Sequence, residues 1–493
     1  MGYVKDADSL TWAYWRMVLN GSHGVWWWRW DDIGRFMGLL HPDLSPPDEV
    51  AEMLEDTRIT REGLGDLLLR SEMQTDGIAL LYSQPSLFAA QVAEGPGYGK
   101  AAEDHAAWQQ TLFNLGLSFR YLTDAMLRRG ELDPKTTRVL ILPRAEALGE
   151  AEARRIVAFV EAGGTVIADV RPGRFTGRVK PRVSGALDAL FGVDSRGSAE
   201  AVKKATMEVQ LSEGQSAWRF ESMTVGSGIV ANGASMLGRA GETPVLFSHA
   251  VGRGRAILLN FSLATYPRVG AAGSPAGTAE LWQALLGQAG VVAPLTLVRA
   301  DGGPTGDVRV QRWRNGEIEL VGIMREPERQ SSQRGLILKE SDAPADFVVT
   351  LAAPRWVYDL RDHRDWGRQR EIRLRLRAGR ATFLALLPEA APTLAATLEP
   401  DAVAPGQTAT LRVSVPDAVG DHAIWVTAIQ PDGREADWMR AVRVIPRGEG
   451  VSIPVPMALN DSQGQWTVRL KELVTGRLME FPLLIEKVAT DDR

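Results

Sequence analysis

Residues 139–170 read VLILPRAEALGEAEARRIVAFVEAGGTVIADV, and this stretch decides the fold. Val139 to Leu142 is an unbroken apolar run, the pattern of a strand covered on both faces of a parallel sheet. From Leu148 to Ala162, Ile156, Phe159 and Val160 recur at helical spacing. Gly163-Gly164 then stops the helix. Val166–Val170 returns as a second apolar strand. A strand, a helix and a strand in so short a span is the parallel α/β unit.

Working outward, the alternation continues on both sides. Ile78–Tyr82 is a buried strand, followed by a helix with Trp108, Leu112 and Leu115 on one face and Gly116 at its end. Phe119–Leu122 is the next strand. Val245–Phe247 and Ala256–Phe261, joined through Gly252-Arg253-Gly254, form a hairpin expected on the sheet's edge. A helix carrying Leu281, Trp282, Leu285 and Leu286 closes the unit near Gly290. The strand order expected of such a unit is flavodoxin-like.

The flanks differ. Upstream, Asp8 or Ser9 caps a helix with Trp12, Trp15 and Leu19 on its apolar face, ended by Gly21. Val25-Trp26-Trp27-Trp28-Arg29-Trp30 reads as a buried parallel strand. Asp48 to about Arg70 reads as one further helix. Downstream of Pro294 the period is two. Val308, Val310 and Ile318–Ile323 flank Asn315-Gly316, a strong hairpin signal. Ile372, Leu374 and Leu376 alternate with Arg373, Arg375 and Arg377, turning at Gly379. After Pro388–Pro392, Leu411, Val413 and Val415, and later Trp466, Val468 and Leu470, alternate with polar residues at the spacing of an immunoglobulin-like β-sandwich.

Composition narrows the chemistry. The chain of 493 residues is 45% hydrophobic and 24% charged, as ordinary globular proteins are. Its net charge of −5, without long basic runs, argues against nucleic acid as a partner. There is no cysteine, which excludes disulfides, Cys-ligated metal and every thiolate mechanism. His23 and His41 lack partners at metal-ligand spacing, so neither a metal site nor a cofactor is expected. Adjacent Asp31 and Asp32 point to opposite faces of a strand and do not converge on one bond. No Gly-x-Ser-x-Gly elbow or dinucleotide loop opens a helix; Gly95–Gly99 follows no strand directly. His105 and His249 fall near the sheet ends without a nucleophile. No apolar run reaches the ~20 residues of a membrane span, and residues 1–8 lack a secretory plan. The expectation is a soluble cytoplasmic protein with no membrane partner.

The order of these parts, with Asn20-Gly21-Ser22-His23-Gly24-Val25-Trp26-Trp27-Trp28-Arg29-Trp30 as its most specific stretch, resembles the C-terminal part of family 42 glycoside hydrolases, the β-galactosidases. Trp27-Trp28-Arg29-Trp30 matches the end of that family's eighth barrel strand: an aromatic pair, a polar residue and a Trp. Gly63-Leu64-Gly65-Asp66-Leu67-Leu68 matches the helix leaving the barrel. The resemblance implies a remnant of a TIM barrel over 1–75 and a flavodoxin-like trimerisation domain over 76–293. A small β domain over 294–390 and an appended immunoglobulin-like sandwich over 391–493 would follow. The α/β part also resembles class I glutamine amidotransferases in outline, whose chemistry needs a thiolate this chain lacks.

The resemblance places Trp30, and Trp28 with it, at the mouth of the barrel, where an indole face stacks on the apolar face of a sugar. The same indoles serve equally to pack a strand against its helices. A barrel needs ~250 residues, and about 75 precede the α/β part. The family's acid/base Glu follows an Asn, yet Asn20, Asn114, Asn232, Asn260, Asn315 and Asn460 are each followed by another residue. No residue of this chain takes the catalytic roles. The implied partners are a β-galactoside or related carbohydrate, further copies of the chain as a homo-oligomer, possible trimer included, and a separate chain supplying the missing barrel. The other reading is a non-catalytic carbohydrate-binding or structural scaffold.

Overall fold

The structure is a computed structural model; it describes residues 6–27, 38–92, 101–196, 201–212, 217–263, 278–303, 308–327 and 340–486. The chain is mostly β and forms two compact units. The first joins residues 1–74 to 309–493, with 297–301; the second holds 75–296, with 302–308.

The first unit begins with helices α1 (Ala7–Leu19), α2 (Asp48–Asp56) and α3 (Gly65–Arg70). The cap of α1 is Asp6, rather than Asp8 or Ser9: its carboxylate accepts the Ser9 N–H at 2.7 Å. Gly21, at φ +75°, ends the helix as expected. The single helix expected from Asp48 to Arg70 is broken. Thr57 and Thr60 turn their hydroxyls back onto the carbonyls of Met53 and Thr57. The wide turn Thr60–Leu64 follows, with Gly63 at φ +128°.

In the second unit the strands β1 (Ile78–Tyr82), β2 (Phe119–Thr123), β3 (Val139–Leu142) and β4 (Thr165–Asp169) alternate with α4 (Gln84–Val92), α5 (Ala101–Asn114), α6 (Asp124–Arg129) and α7 (Glu150–Glu161). Then come β5 (Val202–Val209), β6 (Trp218–Val225), β7 (Ser235–Ala240), β8 (Thr243–Val251), β9 (Gly254–Leu259) and α8 (Thr278–Gln288). The described sheet runs β6-β5-β7-β8-β9-β4-β3-β1-β2, with the short strand Phe261–Ser262 beyond β6. The pairs from β9 to β2 are parallel. The hairpin β8–β9 forms where the sequence placed it, but in the middle of the sheet and not on its edge. Its far side is extended antiparallel by β7, β5 and β6, whose short polar-alternating runs carried too little apolar signal to be read. Each face of this sheet has its own core: Trp108, Leu112, Trp282 and Leu285 on one side, Ile156, Phe159 and Phe191 on the other.

The remaining strands return to the first unit. β10 (Val308–Asn315), β11 (Ile318–Arg325), β12 (Ala345–Asp359), β13 (Arg364–Leu376) and β14 (Ala381–Leu387) make one antiparallel sheet. Gly316, at φ +60°, closes the β10–β11 hairpin as Asn315-Gly316 predicts. In β13 Ile372, Leu374 and Leu376 are buried while Arg373 and Arg375 are exposed. Trp15, Leu19, Leu64 and Leu67 from the helices share a core with Trp313, Ile318 and Phe383 of this sheet.

β15 (Ala395–Glu399), β16 (Thr408–Ser414) and β19 (Gly450–Pro456) form one further sheet. β17 (His422–Ile429), β18 (Glu435–Ile445), β20 (Gly464–Glu472) and β21 (Leu478–Ile485) form another. Leu411 and Val413 from the first meet Val426, Trp466, Val468 and Leu470 from the second in one core. The alternation read in the sequence therefore marks the buried face of each sheet.

Candidate functional site

The expected strand Val25–Trp30 is corrected by its described part. Val25, Trp26 and Trp27 carry no strand pairing, because a strand needs neighbours for its N–H and C=O groups and the described strands of this unit pair among themselves. Trp28, Arg29, Trp30, Asp31 and Asp32 lie outside the described residues, as do Gly95–Gly99. The two described indoles part company. Trp27 is half-buried against Leu10, Val50 and Met53, whereas Trp26 is 97% exposed.

Beside this segment lies a cavity of about 170 Å³. Tyr14 and Val18 of α1, His23 and Val25 of the segment after it, Thr60 of the wide turn and Trp313 of β10 help to wall it. Tyr14 and Thr60 share a hydrogen bond between their hydroxyls at 2.7 Å, which fixes one polar corner of a mixed lining. Among the described residues no carboxylate lines the cavity. Hydrolysis of a glycoside with retention needs two carboxyl groups about 5–5.5 Å apart. Its described lining can hold an apolar or aromatic-stacking group and brings no acid to one.

The second unit gathers its acids elsewhere, at the carboxyl ends of β3 and β4, where ligands of open parallel sheets usually bind. Arg144, two residues after β3, adopts φ +43° and is buried. Its backbone N–H donates to Asp169 Oδ1 at 2.5 Å, its Nη1 to Asp104 Oδ2 at 3.1 Å and its Nε to Glu146 Oε1 at 2.8 Å. Trp108 Nε1 donates to Asp169 Oδ2 at 2.8 Å, Ser262 Oγ to Asp104 Oδ1 at 2.8 Å and Arg171 Nη2 to Glu146 Oε2 at 2.8 Å. Burial, then the neighbouring Asp104 charge, pushes the Asp169 carboxyl well above the usual carboxylate range. Every one of these carboxylate oxygens is engaged, and Asp104 and Asp169 have no exposed surface. The cluster is an internal latch that locks the strand ends.

The histidines follow the same logic. His105 is buried beside Tyr82, with ring centroids 6.0 Å apart and no partner on Nδ1. Burial pushes its imidazole down to about 4. His249 Nδ1 lies 2.9 Å from the Leu190 carbonyl. His23 and His41 are exposed. Among the described residues no group of three or more His, Asp or Glu could hold a metal ion. The sequence reading overlooked the latch, although Arg144, two residues past an unbroken apolar strand, and Asp169, ending a second strand, were visible signals.

Fold and site together define a β-rich chain built on an α/β unit with a mixed sheet, whose strand-end acids are sealed. Residues 76–291 of that unit match the family model described as the beta-galactosidase trimerisation domain. Among solved structures the chain is similar to the beta-galactosidase from Bacillus circulans sp. alkalophilus, at 17% identity and TM-score 0.56, over 76% of this chain and 51% of that one. It is similar to Gan42B, a family 42 beta-galactosidase from G. stearothermophilus, at 16% identity and TM-score 0.54, over 78% and 51%. It is also similar to an alpha-L-fucosidase, isoenzyme 2, from Paenibacillus thiaminolyticus, at 14% identity and TM-score 0.52, over 78% and 58%. The chain thus spans about half the length of these structures. No curated protein matches it in sequence. Residues 76–291 thus match the β-galactosidase trimerisation-domain model, and the chain shares its fold with about half of the family 42 beta-galactosidase structures.

Proposed function

We propose that this chain is the non-catalytic portion of a β-galactosidase-type glycoside hydrolase, acting in carbohydrate metabolism. Its α/β domain, flavodoxin-like in the order of its parallel strands, holds copies of the chain together, as a trimer by analogy with the family description. The segment through Trp28 and Trp30 supplies an aromatic wall to a sugar site whose acids come from a separate chain. The C-terminal sandwich is an immunoglobulin-like accessory domain. What carries the reading is the trimerisation-domain match over 76–291, on a unit whose acids are sealed by Arg144. Self-association is the remaining work for such a surface.

Sedimentation velocity on the full chain, paired with incubation on a chromogenic β-galactoside, tests this. The expected result is a concentration-dependent oligomer with no turnover above blank. A monomer at micromolar concentration removes the association role. Turnover abolished by a substitution within this chain removes the non-catalytic one.

A further inference from the structure

The first unit holds a second, smaller cavity far along the chain from the tryptophan segment. It measures about 120 Å³, and Pro392, Leu394, Val415, His422, Glu472 and Arg477 are among the residues that wall it. His422 opens β17 and Glu472 ends β20, and the pairing of those strands brings the two side chains together. Both are buried.

Their hydrogen bonds settle the chemistry. Glu472 Oε1 lies 3.0 Å from His422 Nδ1 and accepts the Val474 N–H at 2.9 Å. Its Oε2 accepts the Thr475 N–H at 2.7 Å and the Thr475 hydroxyl at 2.6 Å. A group that accepts this many bonds is a carboxylate, and these partners hold Glu472 below its usual range against the opposing cost of burial. An ionised carboxylate has no proton to give, so His422 Nδ1 carries the proton between them. In the neutral ring that leaves Nε2 as a bare acceptor. Nε2 is buried and has no hydrogen-bond partner among the described residues. A buried polar atom without a partner costs about 1–3 kcal/mol, and a ligand donor would recover it.

Arg477 adds the complementary group. It is exposed, lines the cavity, and its guanidinium makes no hydrogen bond or ion pair with a described residue. With the ring neutral, His422 offers an acceptor and Arg477 a free donor from the lining of one small space, against an apolar wall of Pro392, Leu394 and Val415. Neighbouring hydroxyls on a carbon frame present that pattern, each O–H able to donate to nitrogen and accept from a guanidinium. An anion would gain from Arg477 but would meet the lone pair of Nε2 and the Glu472 charge behind it. We propose that this cavity binds a neutral polyhydroxyl compound, a small polyol or the hydroxyl-bearing edge of a sugar, through His422 Nε2 and Arg477. The site does not depend on the oligomer or on the tryptophan segment.

The experiment follows the ring nitrogens of the full chain labelled with ¹⁵N-histidine, titrated with glycerol, with galactose and with acetate. His422→Phe assigns the resonance. Wild type should show a saturable shift at the unprotonated His422 nitrogen with glycerol or galactose, and none with acetate. Arg477→Ala, on the surface and tolerated by the fold, should keep the His422 signal and weaken binding about tenfold, the loss of one charge-assisted hydrogen bond. No saturable shift with either polyol overturns the proposal. So does a response to acetate alone, or polyol binding that Arg477→Ala leaves unchanged. Loss of oligomerisation or of any sugar contact at Trp28 and Trp30 would leave these readouts untouched, so the two readings fail separately.

Discussion

The indole Nε1 of Trp15 donates to Asp56 Oδ1 across 2.6 Å, and Arg361 Nη2 donates to the other oxygen of that carboxylate at 2.9 Å. Trp15 belongs to α1, Asp56 ends α2, and Arg361 follows β12. One carboxylate therefore ties residues close to the N-terminus to a strand hundreds of positions later. Trp15 is buried and packs on Phe383 with ring centroids 5.4 Å apart. Trp15→Ala should cost about 3–5 kcal/mol, the range for emptying a buried aromatic site. Asp56→Ala should cost about 1–3 kcal/mol, because it leaves a buried donor unmet. The double variant should lose less than the sum, since both changes break one network. Urea unfolding of the three variants checks this, and strict additivity would dismantle the network.

Gly63 sits at φ +128° in the turn between α2 and α3, and a Cβ there would meet the Ala423 Cβ at 2.9 Å. Gly63→Ala combines backbone strain with a clash, so it should cost about 1–3 kcal/mol. Gly433, at φ +86°, has open space around it. Gly433→Ala therefore measures strain alone, about 1 kcal/mol. Equal losses at the two positions would show that packing against Ala423 contributes nothing.

The two glycines also show where sequence reading stops. Elements whose cores come from their own period were legible: the apolar runs of β1, β3 and β4, the Arg-alternating β13, the Trp466-Val468-Leu470 face of β20. Gly21 and Gly316 were legible too, because a helix end or a two-residue turn is decided within a few residues. Gly63 was not, since its conformation serves a contact with Ala423 that no local pattern encodes. For the same reason the strand read at Val25–Trp30 does not form over its described residues, Val25–Trp27. Its apolar character was plain, but a strand is a relation between segments. The latch around Arg144 and the pair His422–Glu472 join residues as far as 158 positions apart, so the types were visible and the meeting was not.

Arg144 faces Asp104, Glu146 and Asp169 with almost no exposed surface. Arg144→Met keeps the length of the side chain and removes its charge, leaving buried acids without their cation. Breaking a buried pair from one side costs about 3–5 kcal/mol. The second unit should lose that stability, read as an earlier transition by hydrogen exchange across β3 and β4. A loss below about 1 kcal/mol would mean that Arg171 and the backbone hold the acids unaided.

His105 gives the second unit an acid limb. Its imidazole is pushed down to about 4 by burial, while an unfolded His titrates near 6.5. Between those values the unfolded chain binds the extra proton and the folded chain does not. Stability therefore falls as pH drops from about 6.5 to about 4, by up to about 3 kcal/mol. His105→Gln should flatten the curve in that window, while the carboxylates continue to act in both proteins. Parallel pH profiles for the two would dismiss the assignment.

Trp26 completes the contrast with Trp15. Its side chain is 97% exposed, directly after Val25 of the cavity wall. A surface substitution that removes no packing changes stability by about 0.5 kcal/mol or less, so Trp26→Ala should unfold with wild type. An exposed indole is nonetheless an expensive surface to keep without a use, because it offers water a large apolar face. The proposed wall is Trp28 and Trp30, two and four positions on in sequence; Trp26 would extend it if it too stacked on the sugar ring. Galactose added to the full chain should then slow acrylamide quenching of tryptophan fluorescence, and Trp26→Ala should remove part of the effect. The comparison needs both readouts. A variant that loses stability shows Trp26 packing on residues of the fold, and quenching that galactose leaves unchanged in the wild type takes Trp26 out of any sugar contact.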